Sequence, residues 1–212
     1  MNLSKRLQAV ATLVDIGVNV IDVGCDHAYL DIYLTLNNNN TCLATDINEN
    51  ALNNAKNNIK KYKLSRKIKT KLTIGLDGIE VKNTDNIVIA GMGTHTILEI
   101  LNTNKLSNTL IISSNNDIEL LRREVVKLGY YIDSEIFLYD NNKPYIIIKF
   151  IKGKKKYKNI DYKLGPILKH NKEYIKYLIK TNKNILKHIS KNKILLRLKY
   201  RLLILKLKLH KV

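Results

Sequence analysis

The sequence predicts an α/β protein with a mostly parallel β-sheet that ends in an antiparallel hairpin, followed by a separate pair of helices. Short apolar runs alternate with helical patterns through most of residues 1–128. Two extended runs, 130–139 and 145–151, then flank a polar turn, and beyond residue 152 the chain becomes strongly basic. Strands that alternate with helices are typical of parallel sheets, because each crossover returns the chain to the same edge.

Size and cysteine content limit the other possibilities. The chain has 212 residues, enough for one domain of about 150 residues and an appendage. We therefore predict domains at 1–152 and 153–212. Cys25 and Cys42 form no metal-ligand pattern, so we expect reduced thiols, no metal site and a cytoplasmic location. Asp15 interrupts the first apolar run, which argues against a signal peptide or a membrane span.

The most informative stretch is residues 20–30, which reads VIDVGCDHAYL. An apolar strand ends there, Gly24 permits a tight turn, and a helical pattern resumes at about Ala28. Open α/β sheets bind nucleotide-like ligands at such a corner. Asp26 stands where a dinucleotide fingerprint has its second glycine and would repel phosphate, so a cationic cofactor with an amino acid end fits better. S-adenosylmethionine has both features, although Asp22 or Asp26 could instead cap the helix.

Acidic residues also end the next two predicted strands. Asp46 follows the strand 41–45, where an acid can accept hydrogen bonds from both ribose hydroxyls. Its alternative role is to cap the next helix, which Asn48 could do instead. Asp77 follows the third strand, 68–74, and is placed to accept the exocyclic amine of an adenine, although a plain turn explains the same spacing.

The fourth and fifth strands should bring polar groups to the same edge. The run 86–90 is continuously apolar, as in a central parallel strand, and leads to Gly91, where a ligand can approach the backbone. Thr94 could cap the following helix. His95 could be a general base, although a surface histidine is the favoured interpretation. Asn115 ends the fifth strand, and its amide offers a donor and an acceptor to an adenine edge.

Helical patterns precede and follow the sheet. Residues 2–14 predict a short amphipathic helix, in which Lys5 and Arg6 either reach a phosphate or form plain surface charge. Pro166 suits the first turn of a helix running to about residue 191. The run 194–209 fits both a strand and a helix, and its length favours a helix. The two helices would then form an antiparallel hairpin.

Charge is distributed very unevenly. The net charge is +19, yet residues 1–150 carry 17 Lys and Arg against 16 Asp and Glu, while residues 151–212 carry 20 against 2. A general drift in composition toward lysine would not deplete acids from one part alone. We therefore predict that this segment of charge +18 faces a polyanion, rather than being a solvated basic tail.

Five motifs in order give the chain a resemblance to a known family. They are LSKRL at 3–7, DVGCDHAYL at 22–30, DG at 77–78, AGMG at 90–93 and GP at 165–166. In this combination the chain resembles the bacterial tRNA (adenine-N1)-methyltransferases that modify adenosine 22 in the D-arm. Two positions depart from the family pattern: Thr94 stands where a second glycine is usual, and Ser113-Ser114-Asn115 stands where Gln-Pro-Asn is usual.

The resemblance implies a Rossmann-like class I methyltransferase domain with bound S-adenosylmethionine, and a coiled-coil-like C-terminal helical pair that helps to hold tRNA. It also implies a set of cofactor-binding residues. Gly24, Asp26 and His27 would line the methionine end, and Asp46 the ribose. Asp77 and Gly78 would line the adenine, and Ala90 and Gly91 the catalytic edge.

The implied reaction needs little acid or base chemistry. The N1 lone pair of adenine lies in the ring plane and can attack the methyl group in line, so positioning and exclusion of water matter most. We expect no obligatory general base, with Asp26 and Asn115 as the candidate catalytic residues. The base must leave its pairing partners first. We expect a monomer whose RNA contacts include Lys5, Arg6, Lys154, Lys155 and Lys156.

Three other functions are compatible with parts of the sequence. An adenine-N6 methyltransferase acting on rRNA or DNA would usually carry Asp/Asn-Pro-Pro-Tyr/Phe after the fourth strand, where this chain has GMGT at 91–94. A non-catalytic RNA-binding protein with this fold need not keep both Asp46 and Asp77. A basic amphipathic C-terminus could also rest on an anionic membrane.

Overall fold

The computed structural model describes residues 3–103 and 105–209, and the chain forms two compact units, Met1–Lys156 and Tyr157–Val212. We call them the N-terminal unit and the C-terminal unit. The first contains a seven-stranded sheet of order β3-β2-β1-β4-β5-β7-β6. Its strands are β1 (Asn19–Val23), β2 (Thr41–Asp46), β3 (Ile68–Leu72), β4 (Asn86–Met92), β5 (Thr109–Ser114), β6 (Tyr130–Asp140) and β7 (Lys143–Lys152).

Strand directions confirm the predicted fold class. The five strands β1 to β5 pair in parallel, and β7 pairs antiparallel with both β5 and β6. The five helices of this unit are α1 (Lys5–Leu13), α2 (Tyr29–Asn37), α3 (Glu49–Lys61), α4 (Thr94–Thr103) and α5 (Ile118–Lys127). Residue 2 of the predicted first helix lies outside the described residues.

Two details of the predicted elements were wrong. The third strand stops at Leu72, and the connection 73–85 to β4 contains turns rather than a helix. The hairpin turn is also shorter than the predicted 140–144. Asn141 and Asn142 both have positive φ values, 48° and 62°, so a two-residue turn of the primed type closes the hairpin. Asp140 and Pro144 consequently belong to the paired strands.

The main core lies between the sheet and helices α1, α2 and α3. It contains buried side chains from each of these helices, including Val10, Ile32 and Ala55, packed against strand residues such as Val20 and Ile111. Helix α4 crosses from β4 to β5 in the direction opposite to the β1-to-β3 crossovers. It therefore covers the other face of the sheet, because such crossovers are right-handed.

A buried ion pair joins α5 to β6. The Arg122 Nε donates to Glu135 Oε1 at 2.8 Å, and both side chains are fully shielded from solvent. Arg122 lies beside the core residue Leu121 and one turn before Val125, which is also buried. The pair lets a charged side chain occupy a position that faces the core, since each charge is neutralised at close range.

The C-terminal unit is a helical hairpin that begins later than predicted. It contains α6 (Asn159–Leu164), a 3-10 turn (Leu168–His170), α7 (Lys172–His188) and α8 (Ile194–Leu209). Pro166 therefore does not start the long helix, and that prediction was wrong. Asn171 starts it, because its Oδ1 accepts a hydrogen bond from the Tyr174 backbone N–H at 2.9 Å.

Helices α7 and α8 contact each other along a short apolar core. That core contains Leu164, Ile175 and Leu207, with Leu178 and Leu203 packed beside it. The short connection between the two helices makes them antiparallel, as predicted. Within the described residues, no helix has both the length and the apolarity that crossing a membrane requires.

Candidate active site

The carboxyl ends of the central strands meet where the strand order reverses. Strands β2 and β3 extend from one side of β1, and β4 and β5 extend from the other. Ligands of open α/β sheets bind in the crevice outside such a point. Two pockets lie there, and Gly24 borders both of them. We call them the β2–β3 pocket and the β1–α1 pocket, after the elements that line each one.

The turn after β1 is fixed by a shared acceptor. The backbone N–H groups of Gly24 and Cys25 both donate to the Thr45 carbonyl oxygen at 2.9 Å. Gly24 has a φ of +81°, and a Cβ atom there would come 2.5 Å from the Met92 methyl carbon. A side chain at this position would thus be strained and would fill the crevice.

Neither acid of the turn caps α2. Its N-cap is Ala28, which has no side-chain cap, so the alternative role for Asp22 and Asp26 was wrong. Likewise Asn48, not Asp46, caps α3: the Asn48 Oδ1 accepts from the backbone N–H groups of Asn50 and Ala51 at 2.9 and 3.3 Å. Asp46 is therefore not used in helix capping.

The β2–β3 pocket has a volume of about 250 Å³ and is open at its mouth. Asp46 lies in its wall with both carboxylate oxygens oriented by backbone donors. The Asp26 N–H donates to Oδ2 at 3.2 Å, and the Asn48 N–H donates to Oδ1 at 2.8 Å. These two bonds hold the carboxylate at one orientation without using its remaining lone pairs.

The same pocket contains Asp77 and a second acid, Glu99 of α4. The sequence did not single out Glu99, because its position in a helix looks like ordinary surface charge. Gly78 does not line the pocket; its carbonyl oxygen accepts a hydrogen bond from Lys71 Nζ. Met92, Ile47 and Ile74 supply apolar surface, and the last two are largely exposed.

The β1–α1 pocket has a volume of about 280 Å³ and contains every other predicted cofactor residue except Gly78. Asp26 and His27 approach each other, with Oδ1 and Nε2 3.5 Å apart, and the His27 ring stacks on Tyr29. The lining also includes Gly24, Ala90 and Gly91.

Arg6 is the residue of this pocket that the sequence assigned differently. Its Nη1 is buried and has no hydrogen-bond partner among the described residues, while its guanidinium lies 5.5 Å from the centre of the Tyr145 ring. The Arg6 backbone N–H donates to Asp140 Oδ2 at 3.1 Å, which fixes the start of α1 against the hairpin and holds the pKa of Asp140 below its usual value. A buried N–H group without an acceptor is costly, so this position favours a ligand that accepts a hydrogen bond from a cation.

Two carboxyl groups are buried beneath the pocket. Asp22 is only 5% exposed and Asp31 is fully buried, and the two carboxyl groups interact with each other. Burial raises the pKa of Asp31 to about 6. Burial and the neighbouring Asp31 raise the pKa of Asp22 well above its usual value, although Arg6 opposes that rise. The pair therefore shares a proton at neutral pH.

The catalytic edge is shaped by a bulge in β4. The register with β5 shifts between Ala90 and Met92, so Gly91, with a φ of +104°, is the extra residue. Asn115 is exposed, and its Nδ2 donates to the Gly91 carbonyl oxygen at 2.8 Å. This contact brings Asn115 next to Gly91, which lines the β1–α1 pocket.

The two positions that depart from the family pattern contact each other. Thr94 Oγ1 lies 2.8 Å from Ser114 Oγ, and both side chains are buried. Thr94 Oγ1 also donates to the Asn116 carbonyl oxygen at 2.7 Å, and the Thr94 N–H donates to Asn116 Oδ1 at 2.9 Å. The predicted role of Thr94 as a helix cap was therefore wrong. It fixes the loop after β5, where the family usually has a proline.

The remaining predicted residues lie outside both pockets. His95 is exposed and lines neither of them, in agreement with a surface histidine. Lys5 and the three lysines 154–156 are also exposed. Across residues 3–103 and 105–209, no group of three or more His, Cys, Asp and Glu side chains is arranged to hold a metal ion.

Comparisons with known proteins agree with this geometry. Residues 3–148 match the family model described as a methyltransferase domain. The tRNA (adenine(22)-N(1))-methyltransferase of Bacillus subtilis is 33% identical over 153 residues, which span 70% of this chain and 64% of that protein. The chain thus matches less than two thirds of that relative's length.

Two solved structures are similar over nearly the whole chain. M. capricolum TrmK, in complex with S-adenosyl-homocysteine, is 35% identical with a TM-score of 0.84, covering 97% of this chain and 96% of its own. Streptococcus pneumoniae Sp1610, in complex with S-adenosyl-L-methionine, is 29% identical with a TM-score of 0.86, covering 99% of both chains.

Fold, crevice and matched domain together place the chain among the class I S-adenosylmethionine-dependent methyltransferases. Helices at the carboxyl end of the chain extend the likeness beyond that domain, since the M. capricolum structure aligns with 97% of it. The chain belongs to the tRNA (adenine(22)-N1)-methyltransferase family, called TrmK in the relatives named above. The resemblance drawn from the five motifs is confirmed.

The buried carboxyl pair makes folding stability depend on pH. A free Asp titrates near pH 4 and Asp31 at about 6, so the folded state holds a proton that the unfolded state has lost between these values. Stability then falls as pH rises from about 4 to about 6, and stays lower above that range. Asp31→Asn, which mimics the protonated form, should raise the free energy of unfolding by about 1–3 kcal/mol at about pH 8, with little effect below about pH 4.5.

Urea denaturation at the two pH values measures this difference, with the exposed Asp133→Asn as the control. An equal effect of Asp31→Asn at both pH values would contradict the shared proton.

Proposed function

We propose that this protein transfers a methyl group from S-adenosylmethionine to N1 of adenosine 22 in the D-arm of tRNA. The observation that carries the proposal is the crevice on both sides of Gly24 in a chain of this family. An oriented carboxylate, Asp46, lies at one end of the crevice, and Arg6, whose Nη1 is buried without a hydrogen-bond partner among the described residues, lies at the other. We expect the enzyme to act as a monomer in the cytoplasm.

The β2–β3 pocket fits the adenosine part of the cofactor. Asp46 would accept hydrogen bonds from the ribose hydroxyls, because its oxygens are already held in place by the backbone donors of Asp26 and Asn48. Asp77 would accept the adenine amine, and the exposed side chains of Ile47 and Ile74 would cover the ring. Gly78 acts through the shape of its loop, since its carbonyl oxygen is taken by Lys71.

The β1–α1 pocket fits the amino acid end. Arg6 Nη1 would donate to the carboxylate, which supplies the missing partner for this buried cation. We therefore assign Arg6 to the cofactor rather than to RNA phosphate. Asp22 would face the cationic amino group, whose positive charge favours the ionised form of Asp22. Asp26, His27, Ala90 and Gly91 would form the wall toward the target base.

The protein's contribution to the reaction is position and electrostatics. S-adenosylmethionine supplies a methyl group that is made electrophilic by its sulfonium. Asn115 lies at the rim of the pocket with its Nδ2 fixed by Gly91, so its Oδ1 can accept a hydrogen bond from the amino group of the target adenine. Asp26 is an exposed carboxylate that would stabilise the positive charge passed to the base. No side chain needs to remove a proton before N1 attacks.

Phosphate contacts would come from two lysine sets. The first is the exposed segment 154–156, together with Lys5. The second is a row along α7 that borders a shallow groove containing Lys176, Lys180, Lys183 and Lys187. None of these lysines forms an ion pair within the described residues, so their charge is available to RNA.

The product of the reaction tests the proposal directly. Unmodified tRNA transcripts, incubated with the protein and methyl-labelled S-adenosylmethionine, should yield 1-methyladenosine on nucleoside analysis. A transcript with guanosine at position 22 is the matched control and should accept no label, because the ring N1 of guanine carries a proton.

Each rival function predicts a different result. N6-methyladenosine as the product would identify the amino-group methyltransferase. Binding of tRNA and cofactor without methyl transfer would identify the non-catalytic RNA-binding protein. Methylation of the guanosine 22 transcript at another adenosine would leave the class correct and the target position wrong.

Substitutions at the two ends of the crevice test the cofactor assignment. Asp46→Ala leaves the ribose hydroxyls unpaired, and Arg6→Met removes the donor to the carboxylate. Each should weaken cofactor binding by about 1–3 kcal/mol, measured by calorimetry with S-adenosyl-homocysteine. Glu49→Ala and Lys5→Met are the matched controls, because Glu49 and Lys5 are exposed neighbours that line neither pocket.

Unchanged cofactor affinity in the Arg6 variant, combined with weaker tRNA binding, would restore Arg6 to the RNA contacts. Unchanged affinity in the Asp46 variant would remove the ribose role.

Neutralising the lysine segment tests the RNA assignment. The triple variant Lys154→Gln, Lys155→Gln, Lys156→Gln should bind tRNA more weakly and reduce the slope of log affinity against log salt by roughly 2 to 3. Cofactor affinity should stay the same. Filter binding at several salt concentrations measures the slope, and Lys60→Gln, Lys61→Gln, Lys63→Gln is a control of equal charge change on the exposed end of α3. Equal slopes for the two triple variants would mean that the 154–156 segment has no special contact.

A further inference from the structure

Helix α8 carries two apolar faces, and α7 covers only one of them. Ile204 and Leu207 are buried, with Leu207 in the small core shared with α7. Five leucines on the opposite side are 48–83% exposed, a large fraction for apolar side chains. They are Leu195, Leu198, Leu202, Leu205 and Leu209. We call this row the α8 seam.

The α8 seam has the spacing of a coiled coil rather than that of a general apolar face. Its leucines alternate by three and four residues, so they occupy the a and d positions of two successive heptads, 195–208, and the next a position. Ile194 and Leu196 widen the exposed apolar face at the first turn, but from Leu198 to Leu209 the exposed apolar side chains are those at a and d. A face two residues wide in seven is the contact surface of a helix pair, whereas helices that lie on membranes have wider apolar faces. The seam is therefore shaped to receive one further helix.

The flanking residues determine which helix can pair there. With leucine at a and d, the e positions are Lys199 and Lys206, and the g positions are Arg201 and Lys208. None of these four side chains forms an ion pair within the described residues. Residues at e and g set partner choice in coiled coils, because they face the e and g residues of the neighbouring helix.

This charge pattern excludes a second copy of α8 and favours an acidic partner. Two α8 seams would bring lysine and arginine rows together, and like charges at these positions oppose pairing. The rest of the C-terminal unit has no acidic helix to offer, since residues 157–212 contain only Asp161 and Glu173 as acids. Asp161 already accepts a hydrogen bond from Lys169 at 2.7 Å.

We propose that the α8 seam binds an amphipathic helix of a partner protein that carries leucine-like residues at a and d and Asp or Glu at e and g. The interaction is separate from the methyl transfer and from the phosphate contacts of the α7 lysines. Arg197 supports it from within the hairpin: its Nη1 donates to the Ile189 and Leu186 carbonyl oxygens, which fixes the start of α8 to the end of α7. The seam is thus presented on an ordered helix.

A designed peptide tests the proposal with the full chain. The probe is a synthetic helix of about three heptads with Leu at a and d and Glu at every e and g position; its matched control has Lys in place of each Glu. Calorimetry should show one acidic peptide bound per protein, with affinity at least about tenfold higher than for the basic peptide. The Leu198→Asn, Leu202→Asn variant should lose about tenfold or more of this affinity.

Ile160→Asn is the control variant, because Ile160 is an exposed aliphatic side chain of the same unit that lies on α6. Circular dichroism and the melting temperature of each variant establish that the hairpin is retained. Acidic-peptide binding that is unchanged in the double leucine variant would overturn the proposal, since it would reflect charge alone. Two other results would also overturn the proposal. One is a dimer of the protein that is lost in the double leucine variant. The other is binding to phosphatidylglycerol vesicles, without peptide binding, that is lost in the same variant.

Discussion

The whole site depends on the turn that joins β1 to α2. Two N–H groups, those of Gly24 and Cys25, converge on the Thr45 carbonyl oxygen and connect the tip of β1 to the tip of β2. Without that connection the Asp26 N–H could not reach Asp46, and Asp46 would lose half of what orients it. Gly24 is required by its positive φ, whereas the Met92 methyl carbon beside it ends a flexible side chain that could move aside. The turn at Gly24 therefore determines the position of Asp46 in the β2–β3 pocket, and it also forms part of the wall of the β1–α1 pocket.

The loop after β5 is held by side-chain hydrogen bonds, in contrast to the turn after β1, which is held by backbone hydrogen bonds. A proline would have restricted the loop after β5 through its ring. Here the hydroxyl groups of Thr94 and Ser114 restrict it through buried hydrogen bonds that reach Asn116. The two departures from the family pattern are thus one physical change, in which a hydroxyl pair replaces a glycine and a proline. Asn115, the next residue after Ser114, is held to Gly91 by its side-chain hydrogen bond.

Periodicity was sufficient to predict the sheet, because parallel strands buried on both faces give apolar runs that are hard to mistake, such as residues 86–90. It also predicted which acids would come together, because the carboxyl ends of parallel strands share one edge. Periodicity could not predict that Asp31 and Arg122 are buried, since a charged residue in an amphipathic helix normally faces solvent. Arg122 is buried because Glu135, on a strand formed later in the chain, neutralises it. The position of Arg6 in the wall of the β1–α1 pocket was missed for the same reason, since the other residues of that wall are remote in sequence.

The buried carboxyl pair gives the site an electrostatic balance that the surface acids could not provide. With one proton shared, Asp22 and Asp31 together carry one negative charge beneath the pocket, and the nearby Arg6 carries one positive charge. In the proposed complex, Arg6 would meet the carboxylate of the cofactor and the carboxyl pair would meet its ammonium group. An acidic pair that was fully ionised would be expensive to bury, and a pair without charge would give the ammonium no anionic group. The shared proton therefore lowers the cost of burying two carboxyl groups side by side and leaves one negative charge opposite Arg6.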